Sequence, residues 1–244
     1  MNDYRKKLLL EMGITKDEHL ISQEEWVELS IKGKLSEEFM EEFKENLNWF
    51  DLFKYQTLTE NFLRKNKMHI HWEHWLNICK YQKLSEDFMR ENRNRLDWEE
   101  ICTYQKLTEP FIREFDEHVD WFRVSIYQNL SENFIEEYKN KVDWDHIIAN
   151  QKFSENLISK YENKICWLVL STNKKLPEST FAAYKNKLDF DLIFRHREVS
   201  FETIKKFVSK TSFKKVLEFF CIHLSEQEKQ EIQKILDVKN MFNK

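Results

Sequence analysis

Residues 97–121 read DWEEICTYQKLTEPFIREFDEHVDW, and the last two letters restart the pattern that the first two begin. Nine large aromatic residues mark this repeat along almost the whole chain, at intervals of 23 residues with one interval of 26. They are Trp26, Trp49, Trp75, Trp98, Trp121, Trp144, Trp167, Phe190 and Phe213. A fixed period of about 20–50 residues is typical of a repeat array, in which each unit buries its apolar face by stacking on its neighbours.

Each repeat predicts two short helices. Asp97 followed by Glu100 resembles a capping box at the start of the first helix, which the pattern ends at Gln105. A second helix is predicted to begin after the N-cap residue Thr108. Equivalent residues in other repeats are Ser36, Thr59, Ser85, Ser131 and Ser154. Helices of about 8–12 residues are marginal alone, so stacking must stabilise them.

Composition supports an all-helical chain, because two glycines and two prolines in 244 residues are too few for many hairpin turns. We therefore predict an all-α fold, an α-solenoid of about nine helix-pair repeats. It would form one domain over residues 1–244, with an N-terminal cap at 1–21, repeats at 22–224 and a C-terminal cap at 225–244. The periodic aromatic rings are expected to lie inside, one for each helix pair.

The recurring Tyr-Gln-x-Leu-Ser/Thr-Glu-x-Phe, followed by Val/Leu-Asp-Trp, resembles short helical repeats in proteins of large DNA viruses, phages and A+T-rich bacteria. The pattern is clearest from Trp75 to Gln151, and later repeats hold Lys174 and Arg197 at the Gln position. The resemblance implies an architecture and supplies no catalytic residues. A viral or phage setting would imply that the protein sequesters or blocks a host component, as an inhibitor of a nucleoprotein defence complex such as an RNA-guided nuclease.

A Tyr-Gln pair recurs at the end of the first helix in the central repeats. The pairs are Tyr55-Gln56, Tyr81-Gln82, Tyr104-Gln105 and Tyr127-Gln128, and Gln151 continues the column. The amides could form a polar binding strip, or each could satisfy backbone groups of the adjacent repeat. We favour the second interpretation, because it explains why the amide recurs in every central repeat.

One repeat is irregular. Three additional residues fall between Trp49 and Trp75, within the segment KMHIHWEHW at 67–75. An aromatic column is also interrupted at Asn66 and Asn92. Elsewhere that column holds Phe43, Phe115, Tyr138, Tyr161, Tyr184 and Phe207. Stacking gives no reason to insert residues, and insertions concentrate on functional loops, so we predict a partner-binding site here.

The predicted protein-binding residues are those around this irregularity, and stacking is expected to merge their cations into one basic patch. They are Arg64, Lys65, Asn66, Lys67, His69, His71, Trp72, Arg90, Asn92, Arg93 and Arg95. A second basic cluster supports an alternative, contact with RNA phosphates. It consists of Arg195, Arg197, Lys205, Lys206, Lys210, Lys214 and Lys215.

Other chemistry finds little support in the sequence. His69, His71 and His74 lack a nearby cysteine to complete a zinc site, so we predict no metal and no cofactor. Cys79 and Cys102 occupy one repeat position, where a disulfide is conceivable but buried thiols are favoured. Catalytic motifs such as a Gly-rich phosphate loop or a Gly-x-Ser-x-Gly elbow are missing from the sequence.

The leading prediction is therefore a non-catalytic repeat protein that binds another protein, with RNA binding as the alternative. The net charge of −4 gives no general case for nucleic acid. No apolar run approaches the ~20 residues that span a bilayer, so we expect no membrane association. Four cysteines without metal-type spacing fit a reducing compartment, and the cytoplasm is the expected location.

Overall fold

The computed structural model describes residues 3–32, 34–196, 198–208 and 224–242. Within these residues the chain has 18 α-helices and no strand, which confirms the all-α class. The chain divides into two compact units, residues 1–123 and 124–244. Repeats occur in both units, and their arrangement as one domain stays a prediction.

The first unit contains the N-terminal cap and the first repeats. Its helices are α1 (Asp3–Glu11), α2 (Gln23–Lys32), α3 (Glu37–Glu42), α4 (Trp49–Tyr55), α5 (Glu60–Lys65), α6 (His74–Tyr81), α7 (Glu86–Glu91), α8 (Trp98–Tyr104) and α9 (Glu109–Glu114). Two 3₁₀ helices, Glu18–Leu20 and Lys67–His69, lie between them. The next helix, α10 (Trp121–Tyr127), crosses the boundary between the units.

The second unit continues the pattern and ends in a long helix. Its helices are α11 (Glu132–Glu137), α12 (Trp144–Asn150), α13 (Glu155–Lys160), α14 (Trp167–Thr172), α15 (Thr180–Ala183), α16 (Phe190–His196), α17 (Phe201–Phe207) and α18 (Glu226–Phe242). A 3₁₀ helix covers Glu162–Lys164. The even-numbered helices α2–α16 are the first, or A, helices of the repeats, and the odd-numbered helices α3–α17 are the second, or B, helices. Phe213 of the predicted ninth repeat lies outside the described residues.

The predicted helix starts are confirmed. The Ser85 hydroxyl accepts the Phe88 backbone N–H at 3.2 Å, and all six predicted Ser/Thr residues cap their B helices in this way. At α8 the Asp97 carboxylate accepts the Glu100 N–H at 3.1 Å. The box is only half formed there, because the reciprocal bond from the Asp97 N–H to the Glu100 side chain is not made.

Both predicted end helices are present. Gly13, at φ +76°, follows α1, and the Ile14 N–H donates to the Leu9 carbonyl at 2.9 Å. This is the left-handed termination that glycine allows at lowest cost. Ser225 and Glu228 form a complete capping box before α18, with N–H to side-chain distances of 2.8 and 3.3 Å.

Packing joins like helices of successive repeats. The A helices α2, α4, α6 and α8 lie side by side in the first unit, and α12, α14 and α16 do so in the second. Each A helix from α4 to α16 buries the residues three and four places after its leading aromatic, as Ile101 and Cys102 do in α8. Each B helix buries a pair such as Phe111 and Ile112. These pairs form the core.

The prediction that the periodic rings are internal is correct only in part. Trp26, Trp75 and Phe190 are buried, whereas the other described members of the series are half-buried. The half-buried rings are those of Trp49, Trp98, Trp121, Trp144 and Trp167. Their position at the first residue of each A helix sets one ring edge at the surface, where the Trp49 Nε1–H donates to the Lys44 carbonyl at 2.9 Å. The ring thus fixes the loop that leads into its own helix.

The glutamine column is structural, as we favoured from the sequence. The Gln82 Oε1 accepts the Leu58 N–H at 2.9 Å, and its Nε2 donates to the carbonyls of Phe53 and Gln56 at 2.7 and 2.8 Å. Gln105 makes the same three contacts with the repeat before it, so each amide ties together two successive loops.

One assignment in this column is wrong. The spacing places Lys174 at the Gln position, but Asn173 performs the function. Its Nδ2 donates to the carbonyls of Ile148 and Gln151 at 2.6 and 2.8 Å. The shorter Asn side chain reaches these groups because α14 ends one residue earlier, at Thr172. Arg197 lies outside the described residues.

The glutamate after each B-helix cap has a role that was not predicted. The Glu86 carboxylate accepts the backbone N–H of Thr108 at 2.8 Å, and Glu37 does the same for Thr59 at 2.6 Å. In each case the bond joins one repeat to the cap of the next. The Ser/Thr-Glu dipeptide therefore encodes a second connection between repeats.

Candidate protein-binding surface

Exposed apolar side chains are unevenly distributed over the repeats. Among the described residues of repeats in the first unit, every large apolar side chain that is exposed lies on an A helix or in the insertion. On the A helices these are Ile31, Phe50, Tyr55, Leu76, Tyr81, Tyr104 and Phe122. In the insertion they are Met68 and Trp72. The B helices contribute polar groups at their exposed positions, so the A-helix face is the apolar one.

The insertion carries the most exposed of these groups. Met68 is 81% exposed and Trp72 is 86% exposed, next to Leu76 at 46%. An exposed tryptophan leaves a large apolar area in water, and such groups mark interaction sites when they cluster. Trp72 was among the predicted binding residues, and its placement at the surface fits that role.

The first interruption of the aromatic column leaves Trp49 with one ring partner beyond its B helix. Asn66 is 3% exposed, and its Nδ2 donates to the Phe62 carbonyl and to a Glu41 carboxylate oxygen, both at 3.1 Å. The His69 ring, three residues further on, stacks on Trp49 at 4.4 Å between centroids with an angle of 9°. Asn66 and His69 are thus structural members of the predicted set.

The second interruption receives no replacement ring. In the regular repeat, Trp98 packs against Phe115 at 5.1 Å and His118 at 5.4 Å. The corresponding partners of Trp75 are Asn92 and Arg95. Asn92 turns inward to its own helix, where its Nδ2 donates to the Phe88 carbonyl at 2.9 Å.

A cleft of about 290 Å³ lies at this position. It is lined by Leu63, Arg64, Lys67, Ile70, Trp75, Phe88, Glu91, Asn92 and Arg95. A second cleft, of about 620 Å³, adjoins it and shares Ile70, Trp75 and Arg95. Its remaining lining residues are Trp72, Glu73, Leu76, Asn94, Leu96 and Asp97. Ile70 also helps to keep Trp75 at 4% exposure despite its missing ring partners.

The predicted basic patch does not form as a whole. The Arg64 Nε lies 2.8 Å from Glu91, and the Arg90 Nε lies 2.8 Å from Glu114. Both arginine pKa values are raised, first by these hydrogen bonds to carboxylates. Lys65 Nζ lies 3.4 Å from Glu41. Stacking brings each of these cations next to an acid of another repeat. The sequence-based prediction counted the cations without these acids.

Three cations of the predicted set differ from those. Lys67, Arg93 and Arg95 are exposed, and no carboxylate lies within 4 Å of any of them in the described part of the chain. Lys67 and Arg95 both line the smaller cleft. The net positive charge of the site therefore concentrates at these two side chains.

The histidines near the insertion serve packing. His74 is buried beside Phe53, with 5.1 Å between ring centroids, and its Nδ1 accepts the His71 backbone N–H at 3.0 Å. Burial lowers the pKa of His74, which keeps the ring neutral and able to accept. Over the described ranges, no group of three or more His, Cys, Asp or Glu side chains is placed to hold a metal ion.

Cys79 and Cys102 are core thiols, as favoured from the sequence. Both are buried and neither forms a disulfide. Burial raises the pKa of each to about 12, and the neighbouring backbone of Asp97 and Asp120 acts in the opposite direction. At the same repeat position, the Ser30 hydroxyl accepts the Asn48 backbone N–H at 3.0 Å, so this column contacts the start of the next A helix.

The alternative basic cluster is described only in part. Lys205 Nζ lies 2.6 Å from Glu202 and 3.3 Å from Glu231, and Lys206 lies over the Phe207 ring at 5.5 Å. Arg195 is exposed. The other four members, Arg197, Lys210, Lys214 and Lys215, lie outside the described residues.

Comparison with protein-family models, with curated proteins and with solved structures finds no match to this chain. In the described part of the chain, each helix is too short or too polar to cross a bilayer. The helical repeat architecture is therefore what the sequence and the coordinates together establish.

Proposed function

We propose that the protein is a non-catalytic helical-repeat module that binds another protein through the A-helix face and insertion of its first unit. The observation that carries the proposal is the concentration of exposed apolar side chains there, with Trp72 and Met68 almost fully in water. Interfaces are enriched in Trp, Tyr, Met and Arg, and a few such anchors supply most of the affinity.

The chemistry of this surface supports protein recognition more than nucleic-acid recognition. Arg64 and Arg90 are paired with carboxylates, which reduces the continuous positive field that phosphate binding needs. The cations without a carboxylate partner lie beside an apolar patch and two clefts, an arrangement typical of a protein interface. The finer prediction of a host nucleoprotein complex as the partner follows from the resemblance and stays a prediction.

Site-specific photocrosslinking tests the proposal. Benzoylphenylalanine placed at position 72 in the full chain is expected to capture a protein in extracts of the native host. The same group at Leu168, an A-helix residue of the second unit that is 59% exposed, serves as a matched control. Capture from position 72 that is at least about tenfold above the control, and sensitive to protease, supports the proposal.

Two outcomes would contradict it. Equal capture from both positions would show that the insertion is not a preferred interface. A product sensitive to ribonuclease would replace the partner with RNA, and binding would then fall steeply as salt is raised.

A further inference from the structure

The smaller cleft lies at the second interruption of the aromatic column. In the regular repeats an aromatic ring covers the leading tryptophan, as Phe115 covers Trp98 at 5.1 Å and Tyr161 covers Trp144 at 4.8 Å. Beside Trp75 the same position holds Asn92, whose side chain bonds to its own helix. Phe88, Asn92 and Arg95 line the cleft at this position, and Trp75 stays 4% exposed.

The charge of this cleft is specific. Of its three cations, Arg64 is held by Glu91 at 2.8 Å and Glu60 at 3.5 Å. Lys67 and Arg95 have no carboxylate within 4 Å in the described ranges. An anionic group that enters the cleft would meet two cations without displacing an existing pair.

The larger cleft differs in chemistry. It presents Trp72 and Leu76 and contains two carboxylates, those of Glu73 and Asp97. The Asp97 carboxylate already accepts the Glu100 N–H as an N-cap. In the larger cleft, Trp72 and Leu76 therefore suit an apolar group. The two carboxylates repel a negative charge, which favours its binding in the smaller cleft.

We infer that the two adjoining clefts form one binding site for a ligand that joins a carboxylate to a large apolar group. The carboxylate lies between Lys67 and Arg95, and the apolar group lies against Trp72 and Leu76. In a protein partner, this corresponds to an acidic side chain next to a large apolar side chain on one exposed segment. The inference rests on the proposed function and names the chemistry of the partner.

Matched small probes test the inference without a partner. Indole-3-acetate and tryptamine share the indole ring and carry opposite charges. Titration of the full chain, followed by the indole N–H resonances of its tryptophans, is expected to show at least about tenfold tighter binding of indole-3-acetate. The signal of Trp72 should shift, and that of Trp144 should not.

Substitutions then locate the site. Asn92→Phe restores the ring of the regular repeats, so it should fill the smaller cleft and weaken indole-3-acetate binding about tenfold or more while the chain stays folded. Arg95→Glu should reverse the preference toward tryptamine. Lys164 occupies the same repeat position in the second unit, where its cation lies over Trp144 at 5.0 Å. Lys164→Glu should leave the preference for indole-3-acetate unchanged.

Equal binding of the two probes, or binding unaffected by Asn92→Phe, would overturn the inference. These results are independent of crosslinking at position 72. Failure of the probes with successful protein capture would reject only the ligand chemistry. Successful probe binding with no protein capture would reject only the proposed function.

Discussion

Asn66 and Asn92 interrupt the same column in consecutive repeats, but the consequences differ. At Asn66 the His69 ring of the same repeat stacks on Trp49, and the asparagine is buried with two hydrogen bonds. At Asn92 no ring replaces the missing one, and a cleft remains beside Trp75. A residue type that departs from a repeat pattern therefore does not by itself identify a site. The decisive question is whether neighbouring residues refill the space.

The insertion contributes differently to the two positions. Its first residues form the 3₁₀ helix Lys67–His69 and close the repeat before it. Ile70 and Trp72 then line the clefts of the repeat after it. The segment 67–75 thus closes one repeat and shapes a surface on the next.

Loss of the amide that joins these two repeats is expected to have the largest effect. Gln82→Leu leaves the Leu58 N–H and two carbonyls buried without partners. Each such group costs about 1–3 kcal/mol, so the free energy of unfolding should fall by about 3–9 kcal/mol. Urea denaturation measures it, and the exposed neighbour Lys83→Leu is the control. If Gln82→Leu lowered the free energy of unfolding no more than the control, the glutamine column would not be stabilising.

Removal of the His69 ring should have an intermediate effect on stability. His69→Ala removes the stacked contact with Trp49 and part of its cover. The expected loss is about 1–2 kcal/mol, measured as a lowered urea midpoint. His71→Ala, at an exposed position of the same insertion, should change stability by less than about 0.5 kcal/mol. Equal losses for the two variants would remove the distinction between Asn66 and Asn92.

Acidification should have the smallest effect on the same segment. Burial lowers the pKa of His74 below its ordinary value of 6.5, so the unfolded chain takes up this proton before the folded one. The stability that neutral His74 contributes is complete above pH 6.5. As pH falls from there toward the folded pKa, the free energy of unfolding decreases by up to about 1.4 kcal/mol per pH unit.

Urea midpoints measured at about pH 7.5 and about pH 5.5 test this expectation. The decrease should be smaller in His74→Gln than in the native chain, while His71→Gln should retain the native decrease. An unchanged pH dependence in His74→Gln would show that His74 does not titrate with folding.

The helix order and boundaries were predictable because they depend on residues close together in the sequence. Ser85 and Thr108 cap their helices through backbone groups three residues away, and Gly13 ends α1 in the left-handed conformation that glycine favours. Departures arose where contacts between repeats decide. Asn173 replaces Lys174 because α14 is one residue shorter, and the Trp49 ring is only partly buried.

The insertion and the two asparagines direct attention to the candidate surface, but they do not give its charge. Arg64 and Arg90 looked like members of a basic patch because their partners, Glu91 and Glu114, lie 27 and 24 residues away. The two asparagines differ in the residue three places later, which is His69 in one repeat and Arg95 in the next. The pairing of the arginines with acids cannot be read from the spacing of residues along one repeat.

Each amide of the glutamine column bonds to the repeat that precedes it in the sequence, and this has a consequence for synthesis of the chain. Gln56 reaches back to Ser30 and Leu35, and Gln82 reaches back to Phe53 and Leu58. A nascent repeat therefore cannot satisfy its own loop until the helix that follows it has left the ribosome. Folding during translation should therefore proceed one repeat behind the emerging polypeptide. Each new 23-residue repeat completes the hydrogen bonds of the repeat made before it.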